Sequence, residues 1–95
     1  MAIVEMYLEE GFFHDTVEIW GGTARLAQLT ETTTNVAIGL AAHVTLDVPD
    51  GAILHLQRGP DRVELTVDPL RLHIGVSVTE KGLISRCSDV PFPRA

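Results

Sequence analysis

The chain has 95 residues, of which 45% are hydrophobic, and it carries 13 acidic side chains against 7 basic ones. This apolar fraction can fill one core and argues against general disorder, so a single domain over residues 1–95 is expected. The net charge of −6 argues against binding nucleic acid or an anionic membrane surface, because both contacts depend on Lys and Arg. The single cysteine excludes an internal disulfide.

The N-terminus lacks the features of a secretory signal. No Lys or Arg precedes Arg25, and Glu5 interrupts the apolar residues that follow Met1. A signal peptide needs a positive start followed by a run of roughly 7 to 15 apolar residues. No stretch of the chain approaches the roughly 18 apolar residues of a membrane span. We therefore expect a cytoplasmic protein.

The first elements along the chain are predicted to be strands. Residues 2–8 alternate between apolar and polar side chains, which is the period of a strand with one buried face. Residues 16–20 and 23–29 flank Gly21-Gly22, a typical signal for a two-residue hairpin turn. Three strands are therefore expected before residue 30.

The next stretch is ambiguous. Residues 30–35 are polar and mostly Thr, which predicts a connection. The alternation returns in residues 36–40, whereas several alanines favour a competing helix over residues 36–43. Gly39 and the β-branched residues weaken the helix, so extended chain is the preferred prediction.

The second half of the chain has the most regular alternation. In chain order, the predicted strands cover residues 43–48, 53–57, 63–67, 72–79 and 83–87. The turns between them contain Pro49-Asp50-Gly51, Gly59-Pro60-Asp61-Arg62 and Glu80-Lys81-Gly82. Pro, Asp and Gly suit tight turns for different backbone reasons. Two prolines near the end predict an extended tail over residues 90–95, because Pro cannot donate to a strand ladder.

Seven or eight short strands joined by tight turns predict an all-β fold. Each alternating strand buries one face, so two antiparallel sheets packed face to face are the expected solution. An Ig-like or transthyretin-like sandwich fits a chain of this length, and a small β-barrel is the alternative.

The order of turns between residues 16 and 68 adds a resemblance. A hairpin at Gly21-Gly22 is followed by the Thr-rich connection, a strand ending in Val48-Pro49-Asp50-Gly51 and a hairpin at Gly59-Pro60. In this strand rhythm the chain resembles small prealbumin-like (transthyretin-like) sandwich modules, such as the regulatory domains attached to carboxypeptidases. The resemblance implies a two-sheet architecture and transfers no functional residue.

Three histidines suggest one candidate chemistry. By alternation, His43, His55 and His73 lie opposite the apolar residues of their strands, on outward faces. Imidazole is the commonest metal ligand, and three of them around one centre would suit Zn²⁺ or Cu²⁺. This requires neighbouring strands in register, which the spacing of the histidines does not supply. Three unrelated surface histidines are the simpler interpretation.

Aromatic residues suggest a second candidate site. By alternation, the Trp20 side chain faces outward from its strand, next to the predicted Gly21-Gly22 turn. Of the adjacent Phe12 and Phe13, one ring is expected in the core and the other is expected to be exposed. Exposed aromatic rings are common anchors of protein interfaces. Outward-facing apolar residues such as Ile53 and the open edges of a sandwich favour self-association, most simply as a symmetric dimer.

No catalytic constellation is recognisable. Glu9 and Glu10 are expected to be a solvated charged loop, and His14-Asp15 is expected to belong to a turn entering the next strand. Cys87 is expected to be a small packing residue. No phosphate-binding or dinucleotide-binding motif is present, so no catalytic or cofactor-binding residue is assigned.

The sequence therefore predicts a non-enzymatic binding module that acts through protein–protein contacts. Its partner is another protein or a second copy of the chain, and the residues assigned to the contact are Trp20, Phe12 and Phe13. A metal-binding module that uses the three histidines is the alternative, and an enzyme is the third hypothesis.

Overall fold

A computed structural model describes residues 2–92. Eight strands and no helix are found in this range. The strands are β1 (Ala2–Leu8), β2 (Asp15–Gly21), β3 (Ala24–Thr32), β4 (Ala42–Val48), β5 (Ile53–Arg58), β6 (Asp61–Thr66), β7 (His73–Thr79) and β8 (Gly82–Ser88). None of the described residues belongs to a helix with the length and apolar character needed to cross a membrane.

The strands form two sheets of four. Sheet I has the order β4-β1-β7-β8, and sheet II has the order β3-β2-β5-β6. All neighbouring strands are antiparallel except β1 and β7, which run parallel. The predicted all-β sandwich is confirmed, and the alternative of a closed barrel is wrong because the two sheets remain separate.

The core lies between the sheets, where the alternation of the sequence placed it. On β1 the even-numbered residues from Ala2 to Leu8 are buried and their odd-numbered neighbours face outward, because successive side chains of a strand point to opposite faces. Apolar residues of the other strands complete this core: Val17, Ile19, Leu46, Val48, Leu54, Leu56, Ile74 and Val76. The outward faces of both sheets are therefore left for polar and functional side chains.

The prediction for residues 36–40 is wrong, since neither a strand nor a helix forms there. Asn35 and Leu40 form an isolated bridge that closes a turn, called here the 35–40 turn. The Asn35 carbonyl accepts hydrogen bonds from the N–H groups of Ile38 (3.2 Å) and Gly39 (2.8 Å), and its side-chain Oδ1 accepts one from Ala37 (3.0 Å). Asn side chains commonly capture the backbone two residues on, and this local bonding prevails over the alternation.

One smaller difference lies at the β2–β3 turn, and the last described residues lie against sheet I. The β2–β3 turn consists of Gly22-Thr23, one residue later than predicted, because Gly21 still pairs with Ala24. The chain after β8 turns back onto sheet I, so that the Phe92 ring meets the Tyr7 ring edge-on at 5.5 Å. Residues 93–95 of the predicted tail lie outside the described residues.

Candidate interaction site

Two open clefts lie on either side of the 35–40 turn. One, of about 530 Å³, lies between this turn and the outer face of β7 and β8. The other, of about 520 Å³, lies between the turn and the connection from β1 to β2. Glu10, Val36 and Gly39 line both clefts, so the turn forms a ridge between them.

Exposed apolar side chains surround this ridge. Val36 is 93% exposed at the tip of the turn, and Phe13 is 71% exposed beside the smaller cleft. Ile38 and Ile84 are also exposed, and both line the larger cleft. We call the set Glu10, Phe13, Val36, Ile38 and Ile84 the Val36 surface. Scattered single apolar residues are normal on protein surfaces, whereas the four of the Val36 surface line two adjoining clefts. Grouped apolar residues with a polar border are typical of an interaction site.

The connection from β1 to β2 is anchored against β7. The Val78 N–H donates to the Glu10 carbonyl (2.8 Å), and the backbone at Gly11 has a φ of +87°. A Cβ atom on Gly11 would lie only 2.4 Å from the Val78 carbonyl oxygen, so no larger residue fits. Thr34 ties the same connection to the 35–40 turn, because its hydroxyl donates to the Glu9 carbonyl (2.8 Å).

The two phenylalanines of this connection have different environments. The Phe12 N–H donates to the Thr34 hydroxyl (3.0 Å), and the Phe12 ring is buried in the core. The Phe13 N–H donates to the Asp15 carboxylate (2.9 Å), and its ring projects outward against His14. One buried and one exposed ring is the arrangement that the sequence predicts. The role of Phe13 in a protein contact stays a prediction, whereas Phe12 contributes to the core.

The floor of the larger cleft contains an ion pair that the sequence did not indicate. The Glu9 side chain is only 7% exposed and accepts two hydrogen bonds from Arg86 of β8, from Nε (3.1 Å) and Nη2 (2.7 Å). Gly75 lies directly beneath, since a Cβ atom there would come within 2.1 Å of the Glu9 carboxylate. The expectation of a solvated Glu9 is therefore wrong: the glycine on β7 leaves the space that the carboxylate fills.

Glu10 is the unmatched charge of the site. It is exposed, and among residues 2–92 its carboxylate has no ion-pair partner. The hydrogen bonds to Glu9 raise the pKa of the Arg86 guanidinium, and the charge of Glu10 adds to this effect. Two carboxylates therefore face one guanidinium, and the cleft keeps a net negative charge.

The structure separates the three predicted histidine ligands. His43 and His73 lie on the outer face of sheet I, on either side of Tyr7, with ring centroids 4.7 Å and 6.0 Å from the Tyr7 ring. His55 lies on sheet II, where its ring stacks with Trp20 at 6.0 Å. Within the described range, no three His, Cys, Asp or Glu side chains are close enough together to hold a metal ion. The Zn or Cu hypothesis stays a prediction without a preformed site.

Tyr7 joins the two histidines of sheet I into one cluster. Its hydroxyl lies 3.1 Å from His73 Nδ1, and its ring is parallel to that of His43. Glu5 accepts hydrogen bonds from the His43 ring and from the Thr45 hydroxyl. These contacts need the strand order β4-β1-β7, which alternation alone does not supply. The sequence placed His43 and His73 on outward faces, but it gave no sign that Tyr7 lies between them.

Trp20 is not an exposed platform. It lies on the outer face of sheet II, half-buried, with its ring parallel to the His55 ring. Its Nε1 atom is buried and has no hydrogen-bond partner within residues 2–92. The stacking holds the indole against the sheet, and an interaction role for Trp20 stays a prediction.

The remaining polar candidates have structural surroundings. Asp15 accepts the Phe13 N–H and forms an ion pair with Arg58 (3.0 Å), in agreement with the turn expected at His14-Asp15. Cys87 is exposed on β8, so the expectation of a packed cysteine is wrong. By alternation the Cys87 side chain faces the inner side of sheet I, but it stays exposed because β8 is an edge strand.

The chain matches no protein-family model, no curated protein and no solved structure. The structure shows a small all-β fold of two four-stranded sheets, and the resemblance to prealbumin-like modules stays a prediction.

Proposed function

We propose that this chain is a non-enzymatic binding module that holds a segment of another protein at the Val36 surface. The observation that carries the proposal is the exposure of Val36 (93%) on a ridge between two open clefts. The ridge is stiffened by three hydrogen bonds to Asn35, so Val36 projects into solvent from an ordered turn. A preorganised apolar anchor loses little conformational freedom on binding.

The charges of the site favour a partner segment that carries Lys or Arg beside an apolar residue. Glu9 is already neutralised by Arg86, whereas the Glu10 carboxylate lies unpaired at the border of the apolar patch. The net charge of −6 on the whole chain acts in the same direction. Complementary charge around an apolar centre gives specificity and accelerates association.

A peptide-display selection against the whole chain tests the proposal. We expect enriched sequences in which Lys or Arg adjoins an apolar residue. Val36→Asp is expected to weaken their binding at least tenfold, because it places a charge on the ridge. Leu70→Asp is the matched control, since Leu70 is 79% exposed and lines neither cleft. Glu10→Gln is expected to weaken binding less than Val36→Asp.

Two results would contradict the proposal. One is a selection that enriches no sequence against the folded chain. The other is a set of binders that Val36→Asp and Leu70→Asp affect equally, because these binders would occupy another surface.

A further inference from the structure

The strand β8 has a free hydrogen-bonding edge. On the opposite side of β7, the Val76 carbonyl accepts the Glu9 N–H (2.7 Å) and the Val78 N–H donates to Glu10. Val76 and Val78 therefore direct these groups toward β1, and their partners on β8 are Ser85 and Leu83. These are pairs without mutual hydrogen bonds. In an antiparallel ladder, the two residues of such a pair direct their N–H and C=O groups away from each other. Leu83, Ser85 and, by alternation, Cys87 thus present these groups to the outer edge.

The inward face of β8 is exposed beyond its first two residues. Ser85 and Cys87 have inward parity and pair with the buried Val76 and Ile74, yet both are exposed. Sheet II approaches β8 through β6, and the Asp61 carboxylate lies close to Gly82. The residues of β8 from Ile84 to Cys87 are therefore exposed at an edge of sheet I.

The other three edge strands carry features that oppose strand addition. In β6, three of six residues are charged: Asp61, Arg62 and Glu64. The pairing of β3 with β2 is interrupted by two register shifts. In β4 the inward-facing Leu46 and Val48 are buried, and Asp47 between them is charged. Charges and irregularities are common means of protecting sheet edges, and β8 has neither apart from Arg86, which Glu9 neutralises.

The sequence of β8 is complementary to itself when the strands run antiparallel. With Ser85 at the two-fold axis, the small side chain meets its own copy, Leu83 faces Cys87 of the second copy, and Ile84 faces Arg86 of the second copy. A register centred on Arg86 would instead place two guanidinium groups directly opposite each other, which is unfavourable. The Ser85 register avoids like charges and pairs the apolar parts of the larger side chains.

We infer that a second copy of this chain adds to sheet I at β8, forming a symmetric dimer with one continuous eight-stranded sheet. Isologous pairing of this kind buries the same strand in both subunits. Ile84 and Arg86 line the larger cleft on the outer face of β8, so the dimer places the clefts of the two copies on either side of the seam. This inference rests on the edge of β8, whereas the proposed peptide site rests on Val36; the two surfaces share Ile84.

The mass of the full chain in solution, measured by sedimentation over a range of concentrations, tests the inference. We expect a dimer of twice 10.3 kDa that dissociates on dilution. Ser85→Lys places two like charges at the axis and is expected to give a monomer. Gln28→Lys is the matched control, because it adds the same charge to the exposed edge strand β3 and is expected to leave the dimer intact. Ser85→Pro removes an N–H that points away from β7 and so spares the hydrogen bonds between β7 and β8; it is also expected to give a monomer.

The inference is wrong if the natural chain is a monomer at every concentration, or if Ser85→Lys and Ser85→Pro both remain dimers. Should either variant fail to fold, amide hydrogen exchange of the natural chain at high and low concentration decides. Slower exchange at Leu83, Ser85 and Cys87 in the concentrated sample supports the seam, and unchanged exchange overturns it. Val36→Asp is expected to remain a dimer. If the chain is a monomer that still binds the selected peptides, only the dimer inference fails. If it is a dimer that binds none of them, only the proposed peptide site fails.

Discussion

The outer faces of the two sheets hold their charged residues in different ways. On sheet I, the Glu9 side chain is 7% exposed and is held by Arg86 over a glycine. On sheet II, the Arg62 and Glu64 side chains of a comparable pair are 52% and 60% exposed. The connections account for the difference, because sheet II has two-residue hairpin turns, whereas residues 9–14 and the 35–40 turn fold over sheet I. The clefts of this protein are therefore made by its longer connections.

The largest expected effect comes from the connection that covers sheet I. Gly11→Ala places a Cβ atom 2.4 Å from the Val78 carbonyl oxygen, on a backbone with a φ of +87°. Overpacking and left-handed strain together are expected to cost about 3 kcal/mol of unfolding free energy. Gly22→Ala in the hairpin of sheet II meets no atom within 4 Å and is expected to cost about 1 kcal/mol. Urea denaturation of both variants measures the difference, and equal losses would show that the connection adjusts freely.

The two ion pairs offer a more direct comparison. Glu9→Gln removes the charge that accepts both Arg86 hydrogen bonds in a buried position, and the expected loss is about 2 kcal/mol. Glu64→Gln breaks an exposed pair, and the expected loss is about 0.5 kcal/mol or less. Thermal unfolding of the two variants under the same conditions provides the measurement. A Glu9→Gln chain as stable as the Glu64→Gln chain would mean that water solvates the cleft floor freely.

The third comparison depends on pH and concerns the least exposed ion pair of sheet II, between Asp15 and Arg58. Burial alone would raise the pKa of Asp15, but the Phe13 N–H and the Arg58 guanidinium hold that pKa below its ordinary value of 3.8. A carboxyl with a lowered pKa in the folded state stabilises the fold above its unfolded pKa, and this contribution is lost as the pH falls through the folded pKa. Asp15→Asn is expected to cost about 1 kcal/mol near neutral pH.

The difference between the Asp15→Asn and natural chains is expected to shrink as the pH falls below 3.8, where the natural carboxyl takes up its proton. Unfolding free energies at several pH values check this. A difference that stays constant down to strongly acidic pH would show that Asp15 acts through the shape of the turn at Phe13, and not through its charge.

The candidate site shows where prediction from the sequence succeeded and failed. The opposite environments of Phe12 and Phe13 were predictable, because adjacent side chains on extended chain point to opposite sides. The exposure of Val36 could not be predicted, because its alternation with Ile38 is the pattern of a strand. In the structure, the hydrogen bonds of Asn35 form a turn there instead. The burial of Glu9 was not predictable either, because its partner Arg86 is 77 residues away in the chain.

The sequence by itself determined the all-β class, most strand positions and the inward face of each strand. These properties are local: the period of two in residues such as Val4, Met6 and Leu8 assigns the buried side without knowledge of the neighbouring strand. Only the tertiary structure decided which strands are neighbours. The parallel pairing of β1 with β7 brings Tyr7 beside His73, and the separation of the sheets takes His55 away from both. Strand order is a property of the whole chain, because alternation specifies faces and carries no information about partners.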